Sequence, residues 1–138
     1  MAIPKSPDAR RFYRSADERW TEAQILRRAD RTTAAIYLAG YAIECMLKAL
    51  ILEGLPEKSR NSVLSSFRGR QAHDFQWLRD RYILNGGAKP PKDINRQFTL
   101  VEDWSTEIRY DPKKVAGSEA DQFLKAVQAI IHWANGRL

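Results

Sequence analysis

Residues 33–52 form an almost wholly apolar run whose only charged side chains are Glu44 and Lys48. The run ends at Gly54 and Pro56, which are strong helix stop signals. Because each charge is costly at membrane depth, the run is typical of a core helix and not of a membrane span. A helix that is apolar on nearly all sides has to be surrounded. The run therefore predicts a single domain, residues 1–138, packed around one central helix.

The spacing of apolar side chains on either side of this run predicts the surrounding elements. No segment alternates convincingly with the two-residue period of a strand, so the prediction is an all-α fold. It is an up-down bundle of four to six helices of which the central one is the most apolar. The other expected helices span 7–28, a short stretch ending at Gly69, 74–84, 92–109 and the segment from Ser118 onward.

Capping residues suggest where three of these helices begin. Ser6 before Pro7 is a cap followed by a proline at the first helical position. The central helix is expected to be capped by Asp30 or Thr32. At the last helix, Ser118 and an acid three residues later resemble a capping box.

Composition limits the function classes. The formal charge of +6 and a sequence pI near 9.7 favour an anionic partner such as nucleic acid. Residues 58–81 hold six basic side chains against two acidic ones, the strongest local concentration of positive charge.

A single cysteine, Cys45, excludes a disulfide framework and a thiolate cluster. A charged N-terminus is not the plan of a secretory signal, so a cytoplasmic protein off the membrane is expected.

The sequence lacks the motifs of metal sites, phosphate loops and nucleophile triads, so we expect no metal and no cofactor. Glu44 and Lys48 lie four apart, in the favourable order for an ion pair. They form either a structural pair at the edge of the core or part of a cleft. In the second case Glu44 would clamp an arginine, and Arg109 is the obvious partner.

The segment Arg109-Tyr110-Asp111-Pro112 combines a cation, an aromatic ring, an acid and a helix breaker. Such a cluster can present a guanidinium to phosphate and a phenol to a base. The alternative is a cation at a helix C-terminus with Tyr110 packed inward. Lys113 and Lys114, which follow, are interpreted as a solvated loop.

His73-Asp74 lies between two short helices. One interpretation is an N-terminal cap with the imidazole bonded to backbone. If His73 instead faces Arg68 or Arg70, it is the best candidate for proton transfer. His132 is interpreted as a packing or surface residue, and the four tryptophans as core and interface anchors.

The segment from Tyr37 to Leu50, with Glu44 followed by leucine-lysine-alanine, resembles the second helix of HEPN domains. His73-Asp74-Phe75 resembles the histidine-aspartate-leucine start of a later helix in that family. Arg109-Tyr110 resembles its arginine-tyrosine element before the last helix. The resemblance covers about residues 8–136.

The resemblance implies a helical bundle that commonly dimerises and acts with nucleotides or RNA. Many members are metal-independent ribonucleases, and others partner nucleotidyltransferases in toxin–antitoxin pairs or bacterial defence. Catalytic members carry an arginine, four to six residues, then a histidine before the last helix. Arg109 matches that arginine, but no histidine follows it here. Arg68 and His73 have the literal spacing but lie in the middle connection.

Three hypotheses follow. The first is a non-catalytic or weakly catalytic HEPN-like protein that binds nucleotide, RNA or a partner nucleotidyltransferase. A homodimer would bring two copies of Arg109 to one groove. The second is a metal-independent ribonuclease that uses Arg109 with His73 or Tyr110. The third is a non-catalytic helical dimerisation module. The expected ligand-binding side chains are Arg109, Tyr110, Asp111, Glu44, Lys48, Arg68 and Arg70.

Overall fold

The computed structural model describes residues 3–138, which form six α-helices and contain no β-strand. Two short 3₁₀ segments, Arg70–His73 and Thr106–Tyr110, lie in the connections. The all-α bundle predicted from the sequence is confirmed. The helices are α1 (Pro7–Arg28), α2 (Thr32–Glu53), α3 (Glu57–Ser66), α4 (Phe75–Leu84), α5 (Lys92–Val101) and α6 (Gly117–Asn135).

Helices α1 and α2 form a long antiparallel hairpin. The carboxylate of Glu53, at the end of α2, accepts hydrogen bonds from the backbone N–H groups of Lys5 and Ser6 just before α1. Along α1 an alanine is buried at every seventh position, at Ala9, Ala16 and Ala23. Because alanine has so small a side chain, it allows the two helix axes to approach closely.

Helix α2 is the core of the domain. It packs against α1, α4 and α6, and 78% of its most apolar stretch is buried. By length and composition alone, α2 is apolar enough to cross a membrane. Because most of it is buried inside the domain, packing against the other helices accounts for its apolar side chains. Ile43, Leu47 and Ile51 are among its fully buried side chains. The expectation of a surrounded central helix is confirmed.

The helix predicted over 92–109 ends earlier, at Val101. After a turn, Trp104 lies buried against the backbone of α2 at Gly40, where an added Cβ atom would stand 2.0 Å from the indole. The chain then enters the 3₁₀ segment Thr106–Tyr110, whose first turn is capped by the hydroxyl of Ser105. The apolar spacing does continue past Val101, but docking of the indole on α2 replaces the helix.

Two of the predicted caps are wrong. Neither Asp30 nor Thr32 caps α2: Asp30 has a positive φ of 62°, and the Thr32 hydroxyl donates to the carbonyl of Val115 at 2.6 Å. At α6 no side chain caps the first turn, and Asp121 pairs with Arg27 of α1 at 2.6 Å. These side chains join distant elements instead of closing local turns. The Ser6 cap and the proline start of α1 are confirmed.

Candidate functional site

Glu44 holds two cationic or titratable partners at once. Glu44 is only 4% exposed. One of its carboxylate oxygens accepts a hydrogen bond from the Lys48 ammonium at 2.9 Å. The other oxygen lies 2.7 Å from Nδ1 of His73. The ion pair inferred from the spacing forms. The suggested partner Arg109 was wrong, because His73 occupies the second carboxylate oxygen.

Lys48 is itself buried at 6% exposure, which is unusual for lysine. Its ammonium lies 5.6 Å from the ring centre of Phe12 and 5.3 Å from that of Phe67. Aromatic faces attract a desolvated cation, so the two rings and the Glu44 carboxylate together offset the cost of burial.

His73 closes the first 3₁₀ segment, and the next residue, Asp74, caps α4 by accepting from the N–H groups of Gln76 and Trp77. The histidine–aspartate pair therefore does start the helix, but the imidazole bonds Glu44 and not backbone. Because Glu44 also pairs with the Lys48 ammonium, we assign the carboxylate as the acceptor and Nδ1 as the donor of this bond, which leaves the second ring nitrogen, Nε2, without a hydrogen-bond partner among the described residues. The imidazole remains 39% exposed.

A cavity of about 440 Å³ opens beside His73. Arg70, Trp104 and Ser105 are among its lining residues, together with three acids, Asp74, Glu102 and Glu107. Arg70 thus lines the same cavity as His73. Arg68 is exposed and is not among the lining residues.

A row of aromatic side chains leads from His73 along α2. The Tyr41 ring packs edge-on at 6.1 Å from the imidazole and at 5.1 Å from Tyr37, and the two phenol oxygens are 3.4 Å apart. Trp104 packs against Tyr41 at 5.2 Å and stacks on Phe75. Burial, followed by the hydrogen bond with Tyr37, raises the pKa of the Tyr41 phenol. Tyr41 is therefore a neutral hydrogen-bonding group at physiological pH.

Arg109 stands at the far end of this row, at the close of the second 3₁₀ segment. Interaction with the neighbouring Tyr37 phenol raises the pKa of the Arg109 guanidinium, and Tyr110 adds to the effect. The guanidinium also lies 4.7 Å from the ring centre of Tyr110. Tyr110 is 68% exposed, so the interpretation that packed it inward was wrong.

The remaining predicted residues lie just beyond this point. Asp111 is exposed, and its carboxylate accepts from the backbone N–H of Lys113. The Lys114 ammonium is 2.6 Å from Asp30 at the corner between α1 and α2. Lys114 and Lys113 are exposed loop residues, but the ion pair and a bond from the Thr33 hydroxyl to the Lys113 carbonyl tie the loop to α2.

Sequence reasoning missed Tyr37 and Tyr41, which join the two ends of the site. Tyr37, Tyr41, Glu44 and Lys48 follow one another at intervals of four, three and four residues. That spacing places four polar or half-polar side chains on one stripe of an otherwise apolar helix. The sequence therefore indicates that the two tyrosines lie on the same face of the helix as Glu44 and Lys48.

The assembled site presents His73 and Arg109 on one face of α2, linked through two tyrosines. It places an imidazole and a guanidinium on one surface. Among residues 3–138 no group of three or more histidine, cysteine, aspartate or glutamate side chains is arranged to hold a metal ion.

Comparison with known families decides what kind of domain carries this site. The HEPN domain model matches residues 9–137, nearly the whole chain. The chain belongs to the HEPN domain family. HEPN domains are generally nucleotide- or RNA-related. No curated protein and no solved structure matches the chain significantly.

Proposed function

We propose that this HEPN domain binds RNA or a nucleotide along the exposed edge of α2. The observation that supports the proposal is the row Arg109, Tyr37, Tyr41 and His73, which sets a guanidinium and an imidazole on one surface. Arginine binds phosphate oxygens through charge-assisted hydrogen bonds, and histidine reads or stacks against nucleotides. The domain's overall charge of +6 favours the approach of such a ligand.

Arg109 and Tyr110 act at one end of the surface, where Arg109 contacts a phosphate and the exposed Tyr110 ring offers a stacking face. Arg70 and His73 act at the other end, around the 440 Å³ cavity. Asp111 and Arg68 are exposed beyond the two ends, and a role in ligand contact requires a ligand that extends past the row.

Glu44 and Lys48 have a different role because both are buried. They are positioning residues: Lys48 fixes the Glu44 carboxylate, and the carboxylate fixes the His73 ring. In many protein sites a carboxylate that is hydrogen-bonded to one nitrogen of a functional histidine orients the ring in the same way.

Arg109→Ala is the test of this proposal, with Arg96→Ala on α5 as the charge-matched control. Arg96 is exposed and lies outside the row. A lost charge-assisted contact costs about 1.5–3 kcal/mol, so fluorescence anisotropy with labelled RNA should show affinity falling by about tenfold or more. The control should change affinity much less at the same salt. Equal losses in the two variants would refute the assignment.

One observation favours a second candidate, a metal-independent ribonuclease. A buried carboxylate on Nδ1 of His73 leaves Nε2 free to take a proton from a ribose 2′-hydroxyl, which is the orientation expected of a general base. Purified protein in chelator would then cleave RNA, His73→Ala would abolish cleavage, and His132→Ala on the exposed face of α6 would not. Equal cleavage by both variants, or none by clean wild-type protein, would exclude this candidate.

The biological setting that we propose is a toxin–antitoxin or defence pair with a nucleotidyltransferase, the domain itself acting as a homodimer. Co-expression with an adjacent nucleotidyltransferase gene product, followed by size-exclusion chromatography with light scattering, tests both parts. A stable complex and a dimeric mass are expected. A monomer that ignores the enzyme would overturn this setting while leaving RNA binding to be judged separately.

A further inference from the structure

A second cavity lies on the other side of Glu44, between α1 and α2. Its volume is about 320 Å³, within the ~300–1,000 Å³ range of ligand pockets. Tyr41 and Glu44 line it, and both contact His73, which lines the first cavity. The other lining residues are Asp8, Arg11, Phe12, Ser15, Arg19, Cys45 and Leu64.

Arg11 of α1 lines this cavity, and Arg14, about one turn further along the helix, lines a neighbouring one. Arg10 donates to the carbonyls of Pro4 and Lys5, and Arg19 pairs with Glu22, so both are engaged. Within residues 3–138, Arg11 and Arg14 are exposed and form no ion pair or side-chain hydrogen bond.

Arg11 and Arg14 together exceed the negative charge that remains on the wall. Glu44 is paired with Lys48 and bonded to His73, so Asp8 is the one other acid that lines the α1–α2 cavity. Arg11 and the Ser15 hydroxyl also border a neighbouring cavity that Arg10 and Arg14 line. A guanidinium beside a hydroxyl and an aromatic ring is a combination that binds a phosphate with its attached base.

The distance along α2 sets the size of the ligand. From Tyr37, beside Arg109, to Cys45, in the second cavity, the helix advances eight residues or about 12 Å. At the ~3.4 Å spacing of stacked nucleotides this corresponds to about three to four nucleotides. A mononucleotide held at one end cannot reach the other.

We propose that the α1–α2 cavity is a second phosphate subsite in which Arg11, with Ser15, binds the backbone of a single-stranded RNA of several nucleotides. This inference rests on the proposed function and specifies its ligand class. The strand runs from Arg109 past Tyr37 and Tyr41 into the α1–α2 cavity. Arg14 lies beyond it and receives the next phosphate.

Oligouridylates of one to eight nucleotides provide the test, with Arg11→Ala compared with Arg28→Ala, an exposed arginine in the last turn of the same helix. Wild-type affinity should rise with length up to about four to six nucleotides. Arg11→Ala should lower affinity for the longer strands by about tenfold, bind uridine monophosphate as the wild type does, and flatten the length dependence. Arg28→Ala should follow the wild type at every length.

The native cysteine reports on the same cavity without a variant. Cys45 is the single cysteine of the chain, and its partly exposed thiol lines the cavity. A six-nucleotide strand should slow its alkylation by a maleimide at least severalfold, whereas uridine monophosphate should not. Arg11→Ala should remove the protection at equal strand concentration.

The outcomes separate the two proposals. Equal affinities of Arg11→Ala and Arg28→Ala for long strands, with unprotected Cys45, would overturn the second subsite even if Arg109→Ala still weakened binding. An unchanged Arg109→Ala would instead overturn the proposed function. Binding that falls with salt but is insensitive to length and to both substitutions would indicate only nonspecific attraction to a basic surface and would overturn both.

Discussion

Gly40→Ala tests how the segment that carries Arg109 is attached to the core. The new Cβ atom would stand 2.0 Å from two atoms of the Trp104 indole and 2.4 Å from a third, far inside van der Waals contact. The rigid ring has little room to move, because it stacks on Phe75 at 5.2 Å and packs against Tyr41 at the same distance. The substitution must therefore displace Trp104 or bend α2.

The magnitude follows from two opposing terms. Alanine is favoured over glycine inside a helix by about 1 kcal/mol. Removing a buried tryptophan costs about 3–5 kcal/mol, and displacing Trp104 forfeits much of that. We expect a net loss of about 2–4 kcal/mol in the free energy of unfolding, which lowers the urea midpoint by roughly 1–2 M.

Gly54→Ala is the matched control, because its new Cβ atom would meet nothing closer than 3.7 Å. Its free energy of unfolding should stay within about 0.5 kcal/mol of that of the wild type. The combination of Gly40→Ala with Trp104→Leu should be no less stable than Trp104→Leu alone, since the clash is gone. A Gly40→Ala protein as stable as the wild type would refute this account of the packing.

Three further predictions concern charges and the thiol. Lys48→Met should lower the free energy of unfolding in urea by about 3–5 kcal/mol, because Glu44 keeps a buried charge without its ammonium partner. The double variant with Glu44→Gln should recover most of that loss. Equal stability of the single and the double variant would contradict the role of the pair. Burial, and then the Glu44 charge, raise the pKa of the Cys45 thiol to about 11. The rate of Cys45 alkylation in the folded protein should therefore rise log-linearly with pH from 8 to 9.5. A plateau near pH 9 would contradict this. Arg27 holds the pKa of the Asp121 carboxyl below its usual value, so its contribution to stability is present above about pH 4 and is lost as pH falls through the lowered pKa. The difference in thermal midpoint between wild type and Asp121→Asn should therefore shrink below pH 4, and a constant difference would contradict the pairing.

Much of the fold could be predicted because apolar periodicity is local. The start of α1 at Ser6-Pro7 and the end of α2 near Gly54 follow from capping and breaking residues within one turn. Long-range docking could not be predicted in this way. Trp104 has the helical spacing of its neighbours, and only the open backbone at Gly40, more than sixty residues earlier, shows why the helix stops before it.

The site was only partly predictable for the same reason. The Glu44–Lys48 pair is encoded within one turn of helix and was inferred. The bond from His73 to Glu44 spans 29 residues of sequence and depends on where the fold places the first 3₁₀ segment. Arg109 reaches the site through Tyr37, whose role is not visible until the second 3₁₀ segment is placed against α2.

The two histidines of the chain allow the most direct test of the central claim, that the face of α2 bearing His73 binds RNA. His73 lies on that face, and His132 is exposed on α6. In an NMR titration with a six-nucleotide RNA, the imidazole signals of His73 should shift and saturate, while those of His132 stay in place as the internal control. A saturable shift confined to His132, or none at either ring, would contradict the claim.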